Sequence, residues 1–439
     1  MEILVKTGQF LLSISILVLL HEFGHFLFAK LFKTRVEKFY MFFNPWFSLF
    51  KFKKGETEYG LGWLPLGGYV KISGMIDESM DKEQMKQPPQ PHEFRSKKTW
   101  QRLLIMLGGV LVNFILALVI YSAVLYTWGE EYLPNRNVEN GITVDSLAYD
   151  MGLRNGDKIL SLDGAEIEDF QAFVSQLVLD DVKTIQIERD GSKREIPVPE
   201  SIIPQLLKSR DFIFVRIPFY IGAFAKESPA KDAGFELDDK MVAINGNLCE
   251  FHDQFKDTLS HYKNTTVMIS AVRDTDTVHY EVNVPESGLI GIGAGGTISD
   301  FFELESIEYS FMASIPAGID KGLETFGSYL KQLKLIFSPK TEAYKSLGGF
   351  ITIGKIFPST WDWQAFWNLT AFLSIILAIM NVLPIPALDG GHVMFLLYEM
   401  VTGRKPSDKF LEYAQIAGMV ILLSLLLYAN GNDIFKLFN

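Results

Sequence analysis

Two histidines and a glutamate in the first apolar segment form the sequence His21-Glu22-Phe23-Gly24-His25. A spacing of four residues places both imidazoles on one face of a helix, where they can reach a single zinc ion. Glu22 then lies beside the metal without ligating it. Ionisable side chains inside an apolar span cost several kcal/mol each and by default mark a functional site. The alternative is structural, with these side chains satisfied by hydrogen bonds between helices.

A catalytic zinc ion needs a third protein ligand and one open position. The best candidate for that ligand is Asp389, in a run from Asn381 to His392 that contains two prolines and two glycines. Backbone interrupted in this way at membrane depth is tolerated only where it is buried in protein or lines a wet cavity. His392 is the rival third ligand, because the two glycines before it leave the direction of its side chain undetermined.

The chemistry predicted for these residues is metal-assisted hydrolysis at a carbonyl group. Zinc held by His21, His25 and Asp389 would lower the pKa of a bound water towards 7 and polarise the carbonyl, while Glu22 takes the proton of the attacking water. The amide of Asn381 can donate to the developing oxyanion. A hydrogen bond between two helices is the alternative explanation for Asn381.

The composition of the whole chain limits the kind of protein and the kind of metal site. Of 439 residues, 48% are apolar and 21% are charged, which excludes a disordered or low-complexity chain. The one cysteine, Cys249, excludes an intrachain disulfide framework and a thiolate zinc site, so any metal must be held by His and carboxylates. A net charge of −11 argues against nucleic acid as a partner.

Four apolar segments have the length and composition of membrane-spanning helices. The first is not a cleavable signal peptide, because it contains His21, Glu22 and His25 and lacks a small-residue cleavage site behind its apolar run. The fourth is short and carries Gln415. We expect the spans at Thr7–Ala29, Leu103–Trp128, Ala365–Leu388 and Tyr413–Tyr428.

The charges that flank these spans predict their orientation in the membrane. The loop from Lys30 to Arg102 carries 14 basic and 8 acidic residues, so we expect it to be cytoplasmic. The stretch from Gly129 to Asp300 carries 16 basic and 30 acidic residues and is expected on the opposite side. Both termini would then lie outside, and the HExxH motif would lie near the cytoplasmic side.

The acidic middle stretch contains an internal repeat at an offset of 82 residues. Each copy is predicted to form a short helix ended by Gly, then an apolar strand, then a turn at Asp163-Gly164 or Asn245-Gly246. The pattern resembles the PDZ domain in its circularly permuted bacterial form; a duplicated α/β domain without a ligand is the alternative. The identical pairs are Ser146 and Ser228, Ala148 and Ala230, Asp150 and Asp232, Gly152 and Gly234, Asp157 and Asp239, Lys158 and Lys240, and Gly164 and Gly246.

An amphipathic helical pattern follows the repeat, at residues 304–337. Apolar residues recur in steps of three and four on one face, and charged residues oppose them. The helix is predicted either to pack on the PDZ-like pair or to lie on the membrane surface. The apolar positions are Ile319, Leu323, Phe326, Leu330, Leu333 and Phe337.

These motifs and their order resemble the site-2 proteases, a family of zinc intramembrane metalloproteases. The resemblance rests on HExxH in the first span, on Asn381-x-x-Pro384 and Leu388-Asp389-Gly390 in the third, and on the PDZ-like insertion between the second and third spans. It implies an endopeptidase that cuts the transmembrane segment of a single-pass protein, such as an anti-sigma factor, after another protease has removed its outer domain. Remnant signal peptides are a second implied substrate. The implied location is the bacterial inner membrane, with the PDZ pair in the periplasm.

Further matches to this family concern substrate handling. The segment from Leu66 to Lys71 resembles the family's membrane-embedded β-hairpin, whose edge strand would pair with an unwound substrate and expose its peptide bonds. An ordinary amphipathic hairpin on the cytoplasmic face is the alternative. Asn113 matches the family's pattern in the second span. The implied substrate-binding residues are Gly67, Gly68, Tyr69, Val70, Asn381 and Pro384.

Two short segments depart from the family's pattern. The family's Ala-Gly-Pro in the second span is replaced by a run that includes Gly108 and Gly109. The Gly-x-Gly often found after the first span is replaced by the segment from Met41 to Pro45. Neither departure touches the proposed metal ligands or Glu22.

The predicted fold is a polytopic α-helical membrane protein with four transmembrane helices, a membrane-embedded β-hairpin and two inserted α/β PDZ-like domains. The resemblance suggests that the PDZ pair admits only trimmed substrates; a groove that captures new C-termini would have the same pattern. The expected division is the first two spans and the hairpin loop at 1–128, PDZ-like domains at 129–215 and 216–300, the amphipathic helix at 301–340, and the last two spans at 341–439.

Two other functions fit parts of this pattern. One is a membrane-anchored binding protein whose PDZ-like pair recruits partners and whose metal motif is vestigial. A complete Glu22 and three plausible ligands argue against it. The other is a zinc transporter, which would need a continuous polar path across all spans. The second and fourth spans offer little for such a path beyond Asn113 and Gln415.

Overall fold

The computed structural model describes residues 1–65, 67–75, 87–207, 209, 211–339 and 341–438. These residues form two compact units. The first, the membrane unit, comprises Met1–Gly129, Glu308–Lys334 and Leu347–Asn439. The second comprises Glu130–Ile307 and Leu335–Ser346.

Long helices dominate the membrane unit, and short helices lie in the second unit. In the described part of the chain the α-helices are α1 (Glu2–Leu31), α2 (Thr99–Trp128), α3 (Ser146–Met151), α4 (Phe173–Leu179), α5 (Ile203–Leu206), α6 (Pro229–Ala233), α7 (His252–Ser260), α8 (Ile298–Phe301), α9 (Phe311–Ile336), α10 (Phe350–Lys355), α11 (Trp363–Val382), α12 (Asp389–Thr402) and α13 (Asp408–Phe438).

Strands form one sheet in the membrane unit and several small sheets in the second unit. Within the same described residues they are β1 (Val36–Met41), β2 (Phe50–Lys54), β3 (Thr57–Leu61), β4 (Tyr69–Ile72), β5 (Glu130–Tyr132), β6 (Ile142–Val144), β7 (Lys158–Leu162), β8 (Ala165–Glu166), β9 (Thr184–Arg189), β10 (Ser192–Pro197), β11 (Ile213–Val215), β12 (Ile221–Phe224), β13 (Lys240–Ile244), β14 (Asn247–Leu248), β15 (Thr265–Arg273), β16 (Asp276–Val284), β17 (Ile292–Ala294) and β18 (Glu305–Ile307).

Four of these helices are long and apolar enough to cross a membrane. They cover Glu2–Leu31, Thr99–Trp128, Trp363–Val382 and Lys409–Lys436. Each overlaps one of the four predicted spans, so the number and order of apolar helices agree with the sequence prediction. The first and the fourth extend beyond the predicted limits at both ends.

The third span differs from its prediction at its C-terminal end. Helix α11 ends at Val382 rather than at Leu388, because Pro384 and Pro386 supply no backbone N–H to continue it. A short irregular segment follows, and Ala387 adopts a positive φ of 84° within it. The chain then enters α12, which was not predicted because Gly390 and Gly391 at its start indicate irregular backbone.

Glycines on two spans let α1 and α2 approach closely. A Cβ atom at Gly24 would collide with the carbonyl oxygen of Gly108, and one at Gly108 would lie 2.6 Å from the carbonyl oxygen of Gly24. Small residues have this role wherever two helix backbones meet in a membrane. Helix α11 joins the bundle through buried hydrogen bonds, including Thr370 Oγ1 to Ser13 Oγ at 3.0 Å.

The loop between α1 and α2 forms a four-stranded sheet in the order β2-β3-β1-β4. Strand β1 pairs parallel with β3 and antiparallel with β4, with Tyr40 opposite Tyr69. The segment predicted as a hairpin is therefore the edge strand β4, whose partner β1 is distant in sequence. Strands β3 and β1 are the inner strands of this sheet, and Val36 and Tyr40 of β1 are buried. Leu66, the first residue of that predicted segment, lies outside the described residues.

Among its described residues, the second unit contains two large hydrophobic cores, each under a four-stranded sheet, and a smaller cluster around Leu133, Val138 and Phe302. The sheets have the orders β10-β9-β7-β8 and β14-β13-β15-β16. The first core includes Ile142 and Phe173, and the second includes Ile221 and Phe255. Arg216, at the boundary between the two halves, pairs with Asp253 of the second half at 2.9 Å.

The predicted local elements appear in each half of the second unit. Helices α3 and α6 end at Gly152 and Gly234, both in the left-handed conformation. The predicted turns after β7 and β13 have positive φ at both central residues, Asp163-Gly164 and Asn245-Gly246, as a type I′ turn requires.

The predicted amphipathic helix is α9, and it packs on α2 within the membrane unit. The contact uses the small residues Gly318 and Gly322, where a Cβ atom would collide with Ser122 and Leu118 respectively. The ring of Phe326 also meets Phe114 edge-on, with 5.6 Å between centroids.

Candidate metal centre and active site

The two histidines of the HExxH motif lie side by side in the interior of the membrane unit. Both are on α1, one helical turn apart, and their side chains are 10% and 9% exposed. The Nε2 atoms of His21 and His25 are 3.3 Å apart. The predicted helical spacing therefore aims both ring nitrogens at one point.

Asp389 brings the third donor atom to the same point. Its Oδ2 lies 3.2 Å from His21 Nε2 and 3.3 Å from His25 Nε2. Asp389 is the first residue of α12, directly after the irregular segment that ends α11. In that segment the backbone N–H of Ala387 donates to Gln415 Oε1 at 3.1 Å. A polar residue of α13 therefore holds the backbone two residues before the carboxylate.

The three donor atoms fit a tetrahedral zinc ion. Donors about 2.0–2.2 Å from zinc at tetrahedral angles lie about 3.3–3.6 Å from one another. The observed separations of 3.2 to 3.3 Å lie at or just below the short end of that range. Oδ2 of Asp389 is also a buried atom without a hydrogen-bond partner. Lone pairs this close repel one another unless a cation lies between them, so the donor set suits a metal with one further position open.

The rival ligand His392 lines the same cavity as these three side chains. Among the described residues, the group able to hold a metal consists of His21, His25 and Asp389. On this geometry Asp389, rather than His392, is the proposed third ligand. The two residues differ in position, because Asp389 is the first residue of α12 and His392 lies three residues further along that helix.

Helix α2 forms one wall of the site through a single stripe of residues spaced by four. The carbonyl oxygen of Ile105 lies 2.9 Å from His25 Nδ1. Gly109 lies against both rings, and a Cβ atom there would be 2.6 Å from His25 Nε2. Asn113 is fully buried, with its amide nitrogen 3.2 Å from His21 Nδ1. The segment that departs from the family's pattern thus allows α2 to approach the rings of His21 and His25 closely.

A cavity of about 450 Å³ opens at the three donor atoms. Glu22 lies on its wall next to the histidines, and the edge strand β4 forms another wall. Gly68, just before β4, allows this approach, since a Cβ atom there would lie 3.0 Å from Glu22 Cγ and 2.8 Å from the carbonyl oxygen of Tyr40. The cavity therefore brings a carboxylate, the donor set and a strand edge together.

The predicted substrate-binding residues have different positions. Gly68, Tyr69 and Val70 line the cavity. Gly67 lies beside it, where a Cβ atom would be 3.1 Å from the Phe43 ring. The amide nitrogen of Asn381 lies 3.5 Å from His21 Nε2. Pro384 is exposed and is not among the described residues that line the cavity.

Comparison with known proteins identifies the family. The family described as "Peptidase family M50" matches residues 9–425 of the chain. The chain belongs to peptidase family M50. The "Regulator of sigma E protease" of Haemophilus influenzae is 27% identical to this M50 chain over the full length of both. Proteins called "Putative zinc metalloprotease" from Campylobacter jejuni and Treponema pallidum are 30% and 26% identical to it. Each alignment covers 97% of this chain, together with 92% of the Campylobacter protein and 98% of the Treponema protein.

Membership of family M50 confirms several predictions made from the sequence. The chain is a zinc metalloprotease of the site-2 protease family. With its four apolar helices it is a multi-pass membrane protein. The alternatives of a binding protein without catalysis and of a zinc transporter are therefore set aside.

Several cavity residues of this M50 protease were not found by sequence reasoning. Lys38, Phe43, Met106 and Gln415 all line the cavity. The sequence could have indicated Gln415 as a site residue, because a polar side chain inside an apolar span marks a functional position. Phe43 and Met106 have no such signal, since an apolar residue beside a membrane helix is expected in any packed core.

Proposed function

We propose that this M50 chain is an intramembrane endopeptidase in which His21, His25 and Asp389 hold the zinc ion. It cuts a peptide bond within the transmembrane segment of a single-pass protein that has already lost its outer domain. The observation that carries the proposal is the convergence of three donor atoms within 3.3 Å of one another on the wall of a cavity shared with Glu22 and a strand edge.

The chain's own residues supply the proton transfer and the charge stabilisation. Zinc when bound polarises the carbonyl group and lowers the pKa of water to about 7. Glu22 accepts the proton of the attacking water and delivers it to the departing amine. The amide of Asn381, close to His21, donates to the oxygen on which negative charge develops.

The edge strand β4 is the proposed docking site for the substrate. A helix hides its peptide bonds in its own hydrogen bonds, so the substrate must unwind before it can be cut. Pairing with an edge strand replaces those bonds and holds the backbone extended. Gly67, Gly68, Tyr69 and Val70 are the proposed substrate contacts there. Asn381 and Pro384 are proposed as further substrate-binding residues outside the strand.

The second unit is proposed to contain two PDZ-like domains, at residues 129–215 and 216–300, that filter substrates. Equivalent ion pairs in the two halves support a duplicated design. Arg189 donates to Asp157 and to the carbonyl of Gly152. Arg273 donates in the same way to Asp239 and to the carbonyl of Gly234. Helix α9 lies within the proposed membrane-adjacent segment 301–340.

Anti-sigma factors and remnant signal peptides are the proposed substrates, and the bacterial inner membrane is the proposed location. The Haemophilus relative is named a regulator of sigma E protease, which supports anti-sigma factors as substrates. The basic loop between the first two spans supports a cytoplasmic position for the HExxH side. The acidic stretch 129–300 would then be periplasmic.

Mapping the cut bond tests this proposal. Purified full-length enzyme in detergent is incubated with one single-pass substrate in two forms, with and without its outer domain, and the products are weighed by mass spectrometry. We expect one cut inside the apolar segment of the trimmed form and at least tenfold less product from the untrimmed form. Cuts only outside the apolar segment would contradict an intramembrane protease, and equal cutting of both forms would contradict the filter.

A further inference from the structure

Asn113 is a fully buried amide whose role the proposed chemistry does not use. It lies on α2 with its Nδ2 3.2 Å from His21 Nδ1. Its Oδ1 is buried and has no hydrogen-bond partner. A buried acceptor without a partner destabilises the fold unless some state of the protein uses it.

The two ring nitrogens of a metal-bound histidine have different requirements. A histidine that ligates through Nε2 carries its proton on Nδ1 and needs an acceptor there. His25 has one, because its Nδ1 faces the carbonyl oxygen of Ile105, which can only accept. Its Nε2 is therefore left with a lone pair for the metal.

His21 faces a group that can either accept or donate. An amide NH₂ next to Nδ1 would force the proton to Nε2, where it points at the donor set and blocks ligation. An amide oxygen in the same place accepts the Nδ1 proton and frees Nε2. The two amide orientations are related by a half-turn and are distinguished by the hydrogen bonds they allow.

We propose that Asn113 is a positioning residue for the metal centre, with Oδ1 accepting the proton of His21 Nδ1. The inference rests on the proposed zinc ligation by His21, His25 and Asp389. In this orientation the otherwise unpartnered oxygen gains its hydrogen bond, and both histidines present Nε2 lone pairs to one point. Asn113 thus selects which nitrogen of His21 carries the proton.

The surroundings of Asn113 hold it in place for this role. Ser374 Oγ donates to the backbone carbonyl oxygen of Asn113 at 2.7 Å. This hydrogen bond fixes that turn of α2 against α11. Ile105, Gly109 and Asn113 occupy one face of α2 at intervals of four residues. The acceptor for His25 is a backbone atom, whereas the acceptor for His21 is a side chain, so only the second can be removed by substitution.

The test measures zinc affinity rather than cleavage. Purified full-length protein in detergent is titrated against a chromophoric zinc chelator for wild type, Asn113→Leu, Asn113→Asp and Thr370→Val. Asn113→Leu removes the acceptor at similar size, Asn113→Asp keeps it, and Thr370→Val removes a buried hydrogen bond elsewhere in the same bundle. We expect zinc affinity to fall by about 10–100-fold in Asn113→Leu only.

Other outcomes separate this inference from the proposed zinc site. Unchanged affinity in Asn113→Leu, or an equal loss in Asn113→Asp, would overturn the role of Asn113. If Asn113→Leu elutes as an aggregate, Asn113→Ala removes the same acceptor without added bulk and is judged by the same criterion. His21→Ala is the reference: if it keeps wild-type affinity, the zinc site itself is wrong, whereas its loss beside an unaffected Asn113→Leu contradicts only the inference.

Discussion

Gly109 lies so close to His25 that a single added carbon would be 2.6 Å from the metal-facing Nε2. The same carbon would be 2.8 Å from His21 Nδ1. The two histidines can therefore share one point only because α2 carries no side chain here. The proposed metal centre therefore depends on the crossing of two helices as much as on the HExxH motif.

Replacing Gly109 by alanine should disable the centre. We expect Gly109→Ala to lower both zinc content and cleavage at least tenfold, because the methyl group must displace one of the rings. Metal analysis of purified protein and a cleavage assay would measure this. Gly327→Ala on α9 is the matched control, since a Cβ atom there meets nothing within 4 Å. Wild-type zinc content in Gly109→Ala would mean that the helices separate without effect on the ligands.

Gly68 should affect cleavage without affecting the metal. A Cβ atom there would lie 2.9 Å from Val18 Cγ1 and 3.0 Å from Glu22 Cγ, so Gly68→Ala must push the start of β4 away from α1. We expect at least a tenfold fall in kcat/KM with zinc content unchanged. If zinc is lost together with cleavage, Gly68 supports the metal centre rather than the substrate side of the cavity.

Gln415 should stabilise the segment that carries Asp389. In Gln415→Leu the Ala387 N–H loses its buried acceptor, which costs about 1–3 kcal/mol. Gln415→Glu keeps an acceptor oxygen and is the control. Thermal unfolding and cleavage are measured on both variants, and we expect Tm and activity to fall in the leucine variant and to be largely retained in the glutamate variant. Equal loss in both would show that the amide nitrogen is the group that matters.

Stability of the second half of the second unit should depend on the Arg273–Asp239 pair. Burial of Asp239 raises its pKa, whereas hydrogen bonds from Arg273 and from the Glu236 N–H lower it. The lowering effects together are larger, so the pKa of Asp239 is below the usual value. The pair therefore stabilises the fold above about pH 4, the pKa of an unfolded aspartate, and this stabilisation is lost as pH falls through the lower folded value.

Hydrogen exchange in residues 219–290 of the full-length protein can measure that dependence. Arg273→Met leaves the buried carboxylate without its partner, and we expect a loss of about 3 kcal/mol at pH 7, the low end for a broken buried pair because Arg273 is partly exposed. The difference from wild type should shrink below pH 4. A difference that is constant with pH would indicate that the methylene chain of Arg273, not its charge, is responsible.

The sequence predicted that His21 and His25 lie on one helix, and it predicted the number of apolar helices found in the described residues, because both depend on local patterns. Spacing of four on a helix aims His21 and His25 together, and the prolines after α11 indicate where the backbone must break. Other features were not predictable because they depend on contacts between distant segments. Strand β4 pairs with β1 across more than 20 residues of sequence, and the value of Gly109 is evident only once α1 lies against it.

Helix α12 was missed because the glycines at its start have two possible structural roles. Its apolar residues continue from the third span, but Gly390 and Gly391 at its start suggest a turn rather than a helix. In the structure these glycines pack against carbonyl oxygens of Val382 and Ile385, so they permit the tight reversal that presents Asp389. Nothing in a single sequence distinguishes glycine used for close packing from glycine used to end a helix.

The most direct test of the zinc-ligand assignment measures zinc content and cleavage together in four proteins: wild type, Glu22→Gln, Asp389→Ala and His392→Ala. We expect one zinc per chain and cleavage in wild type, one zinc without cleavage in Glu22→Gln, and loss of both in Asp389→Ala. His392→Ala should retain its zinc. Full zinc content in Asp389→Ala with loss in His392→Ala would contradict the assignment and make His392 the third ligand.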